Sequence, residues 1–331
     1  MASDTHHIQT LHWGIIGCGD VAERKSGPAF NLVSGSALKA VMRRNGDKAR
    51  DYALRHDVPK WYNNAEHLID DPEINAIYIA TPPSSHAEYA IRCLEKGKYV
   101  YLEKPMARHA AEAEKIARAV KAYHGKLCVA HYRRAQPMFI KIGALLDQNL
   151  IGDIRFITLK MLQPAGSDLI AVSESNWRLD PSISGGGLFH DLAPHQLDLM
   201  IHFFGKVRQA RGFALNQAGM YAADDLVAGE ILFENGIVFQ GTWCFSVSPS
   251  DQTDSCEIIG SRGKISFPVF GSEVTVTHDG ETSKITFSPL AHVQEPMIER
   301  VCAYFLDKGP NPCSAEAAIA SMEIIDAFTR K

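Results

Sequence analysis

Short apolar runs alternate with amphipathic stretches along the first part of the chain. The apolar runs predict buried strands at Leu11–Gly17, Ala37–Met42, Ile74–Ala80, Tyr99–Leu102 and Lys126–Ala130. The amphipathic stretches predict helices at His86–Lys96, Ala110–His124 and about Gln136–Gln148. Strands that alternate with helices are typical of βαβ units, so this part is predicted to form a parallel sheet.

The second part of the chain, from Asp153 onward, is dominated by strand patterns. These lie at Ile154–Met161, Val207–Phe213, Leu226–Phe233, Ile237–Trp243, Glu257–Ile259, Lys264–Phe267, Val274–Thr277 and Ser283–Phe287. Asn235-Gly236 and Asp279-Gly280 separate such runs and favour hairpin turns. Helices are predicted at about Phe189–Phe204, Val293–Leu306 and Glu316–Arg330. We therefore expect a large, mostly antiparallel open sheet with helices on one face and a partner subunit on the other, in a homodimer or homotetramer.

Composition narrows the class of protein. The 331 residues are 46% hydrophobic and 22% charged, with a formal net charge of -4, which argues against nucleic acid or an anionic membrane as the main partner. No stretch approaches a membrane span, and the start of the chain lacks the regions of a secretory signal. The seven cysteines are scattered without a C-x-x-C pair, as expected of reduced thiols in the cytoplasm.

A glycine-rich turn directly follows the first apolar run. Gly17-Cys18-Gly19-Asp20-Val21-Ala22 has the pattern G-x-G-x-x-A, in which the glycines let a pyrophosphate approach the backbone and Ala22 allows close packing of helix and strand. The N-terminus of the helix adds partial positive charge. We therefore predict an NAD(P)-binding Rossmann domain over residues 1–130. Residues 131–331 are predicted to form a substrate-binding and oligomerisation domain, whose final helix is a candidate to pack back on the first.

Two arginines follow the second predicted strand. An NAD site usually has an acid about 20 residues after the glycines, where it bonds the ribose hydroxyls, whereas an Arg at this point accommodates the 2′-phosphate of NADP. Arg43 and Arg44 lie here, and the next acid is Asp47. The sequence therefore favours NADP over NAD, with a solvated basic turn as the alternative.

More polar residues follow the next two strands of this part. Thr81, Pro82, Pro83 and His86 follow Ile74–Ala80, and Glu103-Lys104-Pro105 follows Tyr99–Leu102. Ligands of open α/β sheets bind at the carboxyl ends of the strands, so these segments are predicted to lie beside the cofactor. A Lys at such a strand end is unusual, because buried parallel strands read as continuous apolar runs.

An Asp and a His lie four residues apart in the helix predicted at Phe189–Phe204. Asp191 and His195 share one helical face and can touch, and a carboxylate beside an imidazole favours its protonated form and fixes its orientation. This pair suits general acid/base chemistry. A structural pair between Asp198 and His195 is the alternative. No metal is predicted, because one D-x-x-x-H is not a reliable ligand set.

Together, the motifs resemble the Gfo/Idh/MocA family of NAD(P)-dependent oxidoreductases, which includes glucose–fructose oxidoreductase and inositol dehydrogenase. The resemblance covers essentially the whole chain and rests on the glycine turn, Thr81-Pro82-Pro83-x-x-His86, Glu103-Lys104-Pro105, Trp177-Arg178, and Gly185-Gly186-Gly187 followed by Asp191 and His195. It implies hydride transfer to or from a hydroxyl or carbonyl carbon of a sugar, polyol or related compound. It also implies that Lys104 is the catalytic Lys and that Asp191 and His195 are the acid/base pair.

Two positions depart from the family pattern. His131-Tyr132-Arg133-Arg134 stands where the family often has an Asn, and Ala193-Pro194 stands where the family usually has a Gly. A Pro deep in a helix clashes with the preceding turn. We therefore expect the helix to begin near Phe189 or later, or to kink at Pro194.

The residues also suggest roles in removing hydride from a CH–OH carbon. His195 is the candidate base for the hydroxyl proton, and Lys104 is the candidate cation for the negative charge that develops on the same oxygen. Tyr132, Trp177 and Arg178 are candidate substrate residues, with Trp as a stacking face and Arg as a hydrogen-bonding fork. The alternatives are a catalytically silent nucleotide-bound regulatory or binding protein and a reductase of a non-sugar substrate.

Overall fold

The chain forms two compact units, which the computed structural model describes over residues 8–169 and 176–329. The first unit comprises residues 8–106, 111–132 and 291–317. The second unit comprises residues 107–110, 133–169, 176–290 and 318–329. Within the described ranges, no helix has both the length and the apolar character that a membrane span needs.

The helices are numbered in chain order. They are α1 (Gly46–Arg55), α2 (Ala65–Ile69), α3 (His86–Glu95), α4 (Ala110–Ala122), α5 (Pro137–Asp147), α6 (Pro181–Ser184), α7 (Leu188–Phe204), α8 (Glu295–Phe305) and α9 (Ala315–Thr329). The predicted end of the last helix, Arg330, lies outside the described residues.

The first unit contains a parallel sheet of six strands. They are β1 (Leu11–Ile16), β2 (Ser36–Met42), β3 (Lys60–Tyr62), β4 (Ala76–Ile79), β5 (Tyr99–Leu102) and β6 (Leu127–Val129), in the spatial order β3-β2-β1-β4-β5-β6. The chain runs outward from β1 to β2 on one side and to β4 on the other. Because a crevice opens where the strand order reverses, the carboxyl ends of β1 and β4 flank the expected ligand site.

The second unit contains a sheet of eight strands. They are β7 (Ile154–Leu162), β8 (Val207–Leu215), β9 (Leu226–Phe233), β10 (Val238–Cys244), β11 (Thr253–Gly260), β12 (Gly263–Phe267), β13 (Glu273–His278) and β14 (Glu281–Thr286), in the order β14-β13-β12-β11-β7-β10-β9-β8. The β7–β10 pair is parallel and the other pairs are antiparallel. Both predicted hairpin turns are present, and Gly236 and Gly280 each have a φ of 86°. The predicted fold class is confirmed.

The inner face of the second sheet is shaped by glycines. Gly229 pairs with Gly212 on β8 and with Gly241 on β10, which makes a row of glycines across three strands. A Cβ on Gly229 would come within 2.6 Å of three ring atoms of Phe328 in α9. The row therefore makes room for this ring, which also lies against Trp243 with centroids 6.1 Å apart.

The structure corrects several predicted boundaries. β3 was not predicted, because three residues with an exposed Trp61 carry no apolar pattern. β11 begins at Thr253, four residues before the predicted start, since its polar first residues pair with β7. The helix predicted to begin near Phe189 or later begins at Leu188, so Pro194 lies inside α7 in its second turn.

Candidate active site

The glycine turn joins β1 to an irregular helical segment. Gly17 has a φ of 95°, and a Cβ there would come 2.9 Å from the carbonyl group of Ala80 and from the Thr81 side chain. A Cβ on Gly19 would instead project into open space. A π-helical turn over Ala22–Ser26 follows. Because the backbone is bare and accessible at Gly19, the turn fits a dinucleotide pyrophosphate.

The two arginines after β2 lie at the same edge of the sheet. Burial raises the pKa of the Cys18 thiol to about 11, and the positive charge of Arg43 opposes this shift. The backbone N–H groups of Gly17 and Cys18 both donate to the carbonyl oxygen of Met42, so Arg43 directly follows a residue that is bonded to the glycine turn. Arg44 is exposed, and within the described part of the chain neither guanidinium has a carboxylate partner. Both therefore remain available to an anionic ligand.

The loop after β4 packs against the glycine turn through Thr81. The hydroxyl of Ser85 donates to the Thr81 hydroxyl oxygen at 2.8 Å, and Pro83 begins a one-turn 3-10 helix before α3. The imidazole of His86 is fully buried, with Nε2 2.7 Å from the carbonyl oxygen of Thr81. The predicted cofactor residues from Thr81 to His86 thus form one compact loop beside Gly17.

Glu103 has its carboxylate in the interior of the first unit. The Tyr78 hydroxyl donates to its Oε1 at 2.5 Å, and the Gln294 side-chain amide donates to the same atom at 2.6 Å. Its Oε2 accepts a hydrogen bond from the backbone N–H of Lys104 at 3.1 Å. Burial, and then the Glu103 carboxylate, raise the pKa of Tyr78 well above its ordinary value, so Tyr78 stays a donor. Glu103 therefore holds the backbone of Lys104 in place.

Lys104 is the second residue after β5, separated from its buried end by Glu103, and it is half-buried. The peptide bond between Lys104 and Pro105 is cis. β5 lies next to β4, and β4 lies next to β1. The first unit therefore brings the glycine turn, the Thr81 loop and Lys104 to one edge of its sheet. Tyr132, a predicted substrate residue, is buried in a one-turn 3-10 helix after β6.

The three glycines before α7 allow a tight turn. Gly185 and Gly187 have φ values of 96° and 82°, and the Ser184 hydroxyl accepts a hydrogen bond from the Gly187 N–H at 2.9 Å. A Cβ on Gly186 would come 2.1 Å from the ring of His190. Burial lowers the pKa of His190 to about 4, so this ring is neutral near pH 7 and does not suit acid/base work there.

Asp191 forms an ion pair with an arginine from an earlier loop. The Arg178 Nε donates to Asp191 Oδ2 at 3.0 Å, and these side chains are 9% and 15% exposed, respectively. The guanidinium also lies over the Trp177 ring, 4.4 Å from its centroid. Arg178, predicted to bind substrate, therefore also holds the carboxylate of the predicted acid/base pair.

His195 lies in the third turn of α7 and is buried. The ring of Phe270 contacts it edge-on, with centroids 5.6 Å apart. Asp198, the alternative partner for His195, forms a two-pronged ion pair with Arg134, with bonds of 2.8 and 2.6 Å. The acid four residues before His195 and the acid three residues after it are thus both held by arginines.

A turn after β12 places Phe270 against His195. The Asp254 carboxylate accepts hydrogen bonds from the backbone N–H groups of Val269 and Phe270 at 3.0 and 2.6 Å. The Arg133 guanidinium covers the Phe270 ring, 4.3 Å from its centroid. Phe270 did not stand out in the sequence, because no short motif carries it and its contacts come from distant parts of the chain.

The fold and the site together define a class, that of two-domain, dinucleotide-dependent oxidoreductases. Residues 11–131 match the model described as "Oxidoreductase family, NAD-binding Rossmann fold", and residues 139–266 match the "GFO/IDH/MocA C-terminal domain". The chain therefore belongs to the GFO/IDH/MocA family and is an NAD(P)-dependent oxidoreductase. The predicted family and the predicted enzyme class are both confirmed.

Individual relatives carry more specific names. Oxidoreductase P35 of Formosa agariphila is 49% identical over 318 residues, which cover 96% of this chain and 98% of that protein. The trans-1,2-dihydrobenzene-1,2-diol dehydrogenase of Xenopus laevis is 29% identical over 265 residues, 78% of this chain and 74% of its own. A levoglucosan dehydrogenase solved with NADH and levoglucosan superposes with a TM-score of 0.86 at 23% identity, covering 97% of this chain and 96% of its own, which shows the shared fold.

Replacing Arg178 by Met should destabilise the protein by about 3 kcal/mol, because the largely buried Asp191 carboxylate loses its guanidinium. Urea unfolding measures the change. The matched control is Arg118→Met on α4, which breaks an ion pair with Glu114 whose arginine is 65% exposed. That change should stay within about 0.5 kcal/mol. Equal, small effects of the two substitutions would contradict a structural role for the Arg178–Asp191 pair.

Proposed function

We propose that this enzyme transfers a hydride between NADP(H) and a CH–OH or C=O carbon of a sugar, polyol or related small molecule. The observation that carries the proposal is Lys104 after a buried strand, at the same edge of the sheet as the glycine turn, in a chain whose α7 carries Asp191 and His195. When bound, the nicotinamide supplies the hydride chemistry. The protein's own residues bind and orient the substrate, and they move a proton.

In the oxidation direction, the hydroxyl group of the substrate loses its proton and its carbon loses a hydride. His195 takes that proton at a ring nitrogen, and the Lys104 ammonium stabilises the negative charge that develops on the oxygen. Asp191, held by Arg178 at 3.0 Å, supplies a fixed negative charge on the helix that carries His195. In the reduction direction, His195 returns the proton to the oxygen.

NADP is proposed over NAD because of the charges at the end of β2. The half-buried Arg43 acts on Cys18 in the glycine turn, and Arg44 is exposed. A 2′-phosphate matches guanidinium groups in charge and geometry, whereas a ribose diol is better matched by a carboxylate. No carboxylate follows β2 until Asp47 in α1.

The substrate class is proposed from the chemistry of the relatives' names. Trans-1,2-dihydrobenzene-1,2-diol and levoglucosan both carry secondary hydroxyls on a six-membered ring. Trp177 and Phe270 are half-buried aromatic side chains in the second unit, and such faces suit the apolar side of a sugar ring. A catalytically silent nucleotide-binding protein is the competing function, and it would bind NADP without turning over any of these alcohols.

A second copy of the chain is proposed to cover the open face of the second sheet, in a homodimer or homotetramer. Phe213 and Leu215 of β8 are 56% and 46% exposed, and Met220 after it is 48% exposed. Their neighbours on β9 and β10 line a groove of about 470 Å³. Exposed large apolar side chains beside such a groove are a feature of interaction surfaces. We also place the protein in the cytoplasm, where its six buried thiols stay reduced.

Arg44→Asp should weaken NADP binding by about tenfold or more and change NAD binding much less, because only NADP loses a charge-assisted bond to its phosphate. Titration of both nucleotides by calorimetry measures this. Arg50→Glu, on the exposed side of α1, reverses the same charge and should leave the preference unchanged. Equal affinity for the two nucleotides in both the wild type and Arg44→Asp would overturn the assignment of NADP.

Lys104→Met and His195→Ala should each retain NADP binding and lower turnover by about 100-fold or more. Asp191→Asn should lower turnover by a smaller factor and shift the acidic limb of the pH–rate profile. Absorbance of reduced cofactor, followed with a panel of sugars, polyols and a trans-dihydrodiol, gives the rates. His202→Ala, on the exposed side of α7, is the control that should keep full activity. If His195→Ala kept wild-type turnover and pH profile, Tyr132 would become the next candidate base.

Phe213→Lys should shift the protein towards a smaller species, because a charge at the centre of an apolar interface is costly to bury. Light scattering coupled to size-exclusion chromatography gives the mass of each variant. Leu54→Lys on α1, where the side chain is 70% exposed, should leave the mass unchanged. A wild-type monomer at micromolar concentration would rule out this interface.

A further inference from the structure

His86 is a buried histidine at the start of α3 whose ring faces two backbone carbonyl groups. Its Nε2 lies 2.7 Å from the oxygen of Thr81, and its Nδ1 lies 3.0 Å from the oxygen of Pro105. The residue is 0% exposed, so solvent does not serve either ring nitrogen. A carbonyl oxygen can only accept, so each contact is a hydrogen bond when the facing nitrogen carries a proton.

The two carbonyl groups belong to the two loops that form the functional edge of the first unit. Thr81 lies against Gly17, within 2.9 Å of the position that a Cβ there would take. Pro105 directly follows Lys104. The ring of His86 therefore connects the loop beside the glycine turn to the segment that carries the proposed catalytic lysine.

The other side of Lys104 is fixed as well. Its backbone N–H donates to the buried carboxylate of Glu103 at 3.1 Å. The lysine thus lies between an anchored residue before it and an anchored carbonyl group after it. A flexible four-carbon side chain reaches a defined point only if its backbone is held, and small displacements of a catalytic group are costly in rate.

We propose that His86 is a positioning residue for Lys104: its ring lies between the Pro105 and Thr81 carbonyl groups and donates to one of them when neutral and to both when doubly protonated. This inference rests on the proposed function, since it takes Lys104 to act in turnover. His86 is fully enclosed by protein, and it acts on the cofactor and substrate through the loops that it joins.

The number of bonds depends on the protonation of the ring. A neutral imidazole has one N–H and serves one carbonyl group, whereas the doubly protonated ring serves both. Burial lowers the pKa of His86, while the Thr81 and Pro105 carbonyl groups and then the Glu103 carboxylate favour the proton. The second hydrogen bond therefore forms at pH values below the pKa of His86, which is lower than the ordinary pKa of a histidine. It is lost as the pH rises through that lowered pKa.

A double-mutant cycle with His86→Phe and Lys104→Met tests the proposal. Single-turnover hydride transfer is measured in the wild type, both single variants and the double variant, with NADP affinity measured in parallel. His86→Phe keeps the ring volume and removes both donors. We expect the hydride-transfer rate to fall by up to about 100-fold, with a much smaller change in NADP affinity. In the Lys104→Met background, the same substitution should cause little further loss.

Each outcome of the cycle has a separate meaning. If His86→Phe lowers the rate by the same factor with and without Lys104, or has no effect in the wild type, the positioning role is overturned. If Lys104→Met itself keeps the wild-type rate, the proposed function of Lys104 fails instead. His67→Phe, at an exposed position of α2 in the same unit, is the control and should leave the rate unchanged.

Two further measurements apply if His86→Phe does not fold. His86→Gln offers an amide donor for one carbonyl group, and a higher rate in His86→Gln than in the shorter His86→Asn supports the bridge, whereas equal rates contradict it. In wild-type protein labelled with ¹⁵N-histidine, a bridging ring shows an N–H proton that exchanges slowly with solvent, because the ring is buried and hydrogen-bonded. A spectrum in which every histidine N–H exchanges rapidly would overturn the proposal.

Discussion

The buried carboxylate of Glu103 is the interaction on which the functional edge of the first unit depends. It has three donors, namely the hydroxyl of Tyr78 from the neighbouring strand, the amide of Gln294 from the segment before α8, and the backbone N–H of Lys104. A carboxylate is costly to bury unless such donors surround it. Because these donors come from three parts of the chain, the carboxylate holds those parts together at the end of β5, next to Lys104.

In the second unit, buried charges likewise hold α7, the helix that carries the proposed base. Arg178 and Arg134 bind Asp191 and Asp198 on either side of His195, and the glycine turn before α7 lies close against the ring of His190 in the first turn of the helix. Paired buried charges tolerate little displacement, since breaking one pair leaves the other charge uncompensated. The helix therefore carries His195 on a scaffold that is rigid for electrostatic reasons, with Phe270 packed against the imidazole.

Much of the fold followed from local patterns. The buried strands β1, β4 and β5 are mostly apolar runs, and the hairpin turns need positive φ at glycine, so both leave a signal within a few residues. The three-residue β3 and the polar start of β11 were missed because their pairing, and not their own composition, makes them strands. Pro194 lies inside α7 although Pro is disfavoured in a helix, because the surrounding contacts of the helix outweigh the loss of one backbone hydrogen bond.

The sequence by itself determined the family and the cofactor class and predicted which residues would carry the chemistry, because glycine turns and strand-end motifs are local and their spacing is read directly. Only the tertiary structure decided what holds those residues. Gln294 is 191 positions from Glu103, and Arg134 is 64 positions from Asp198. No sequence pattern links such distant partners. Their pairing follows from the burial of charged and polar groups, which must find whichever donors the folded chain brings near.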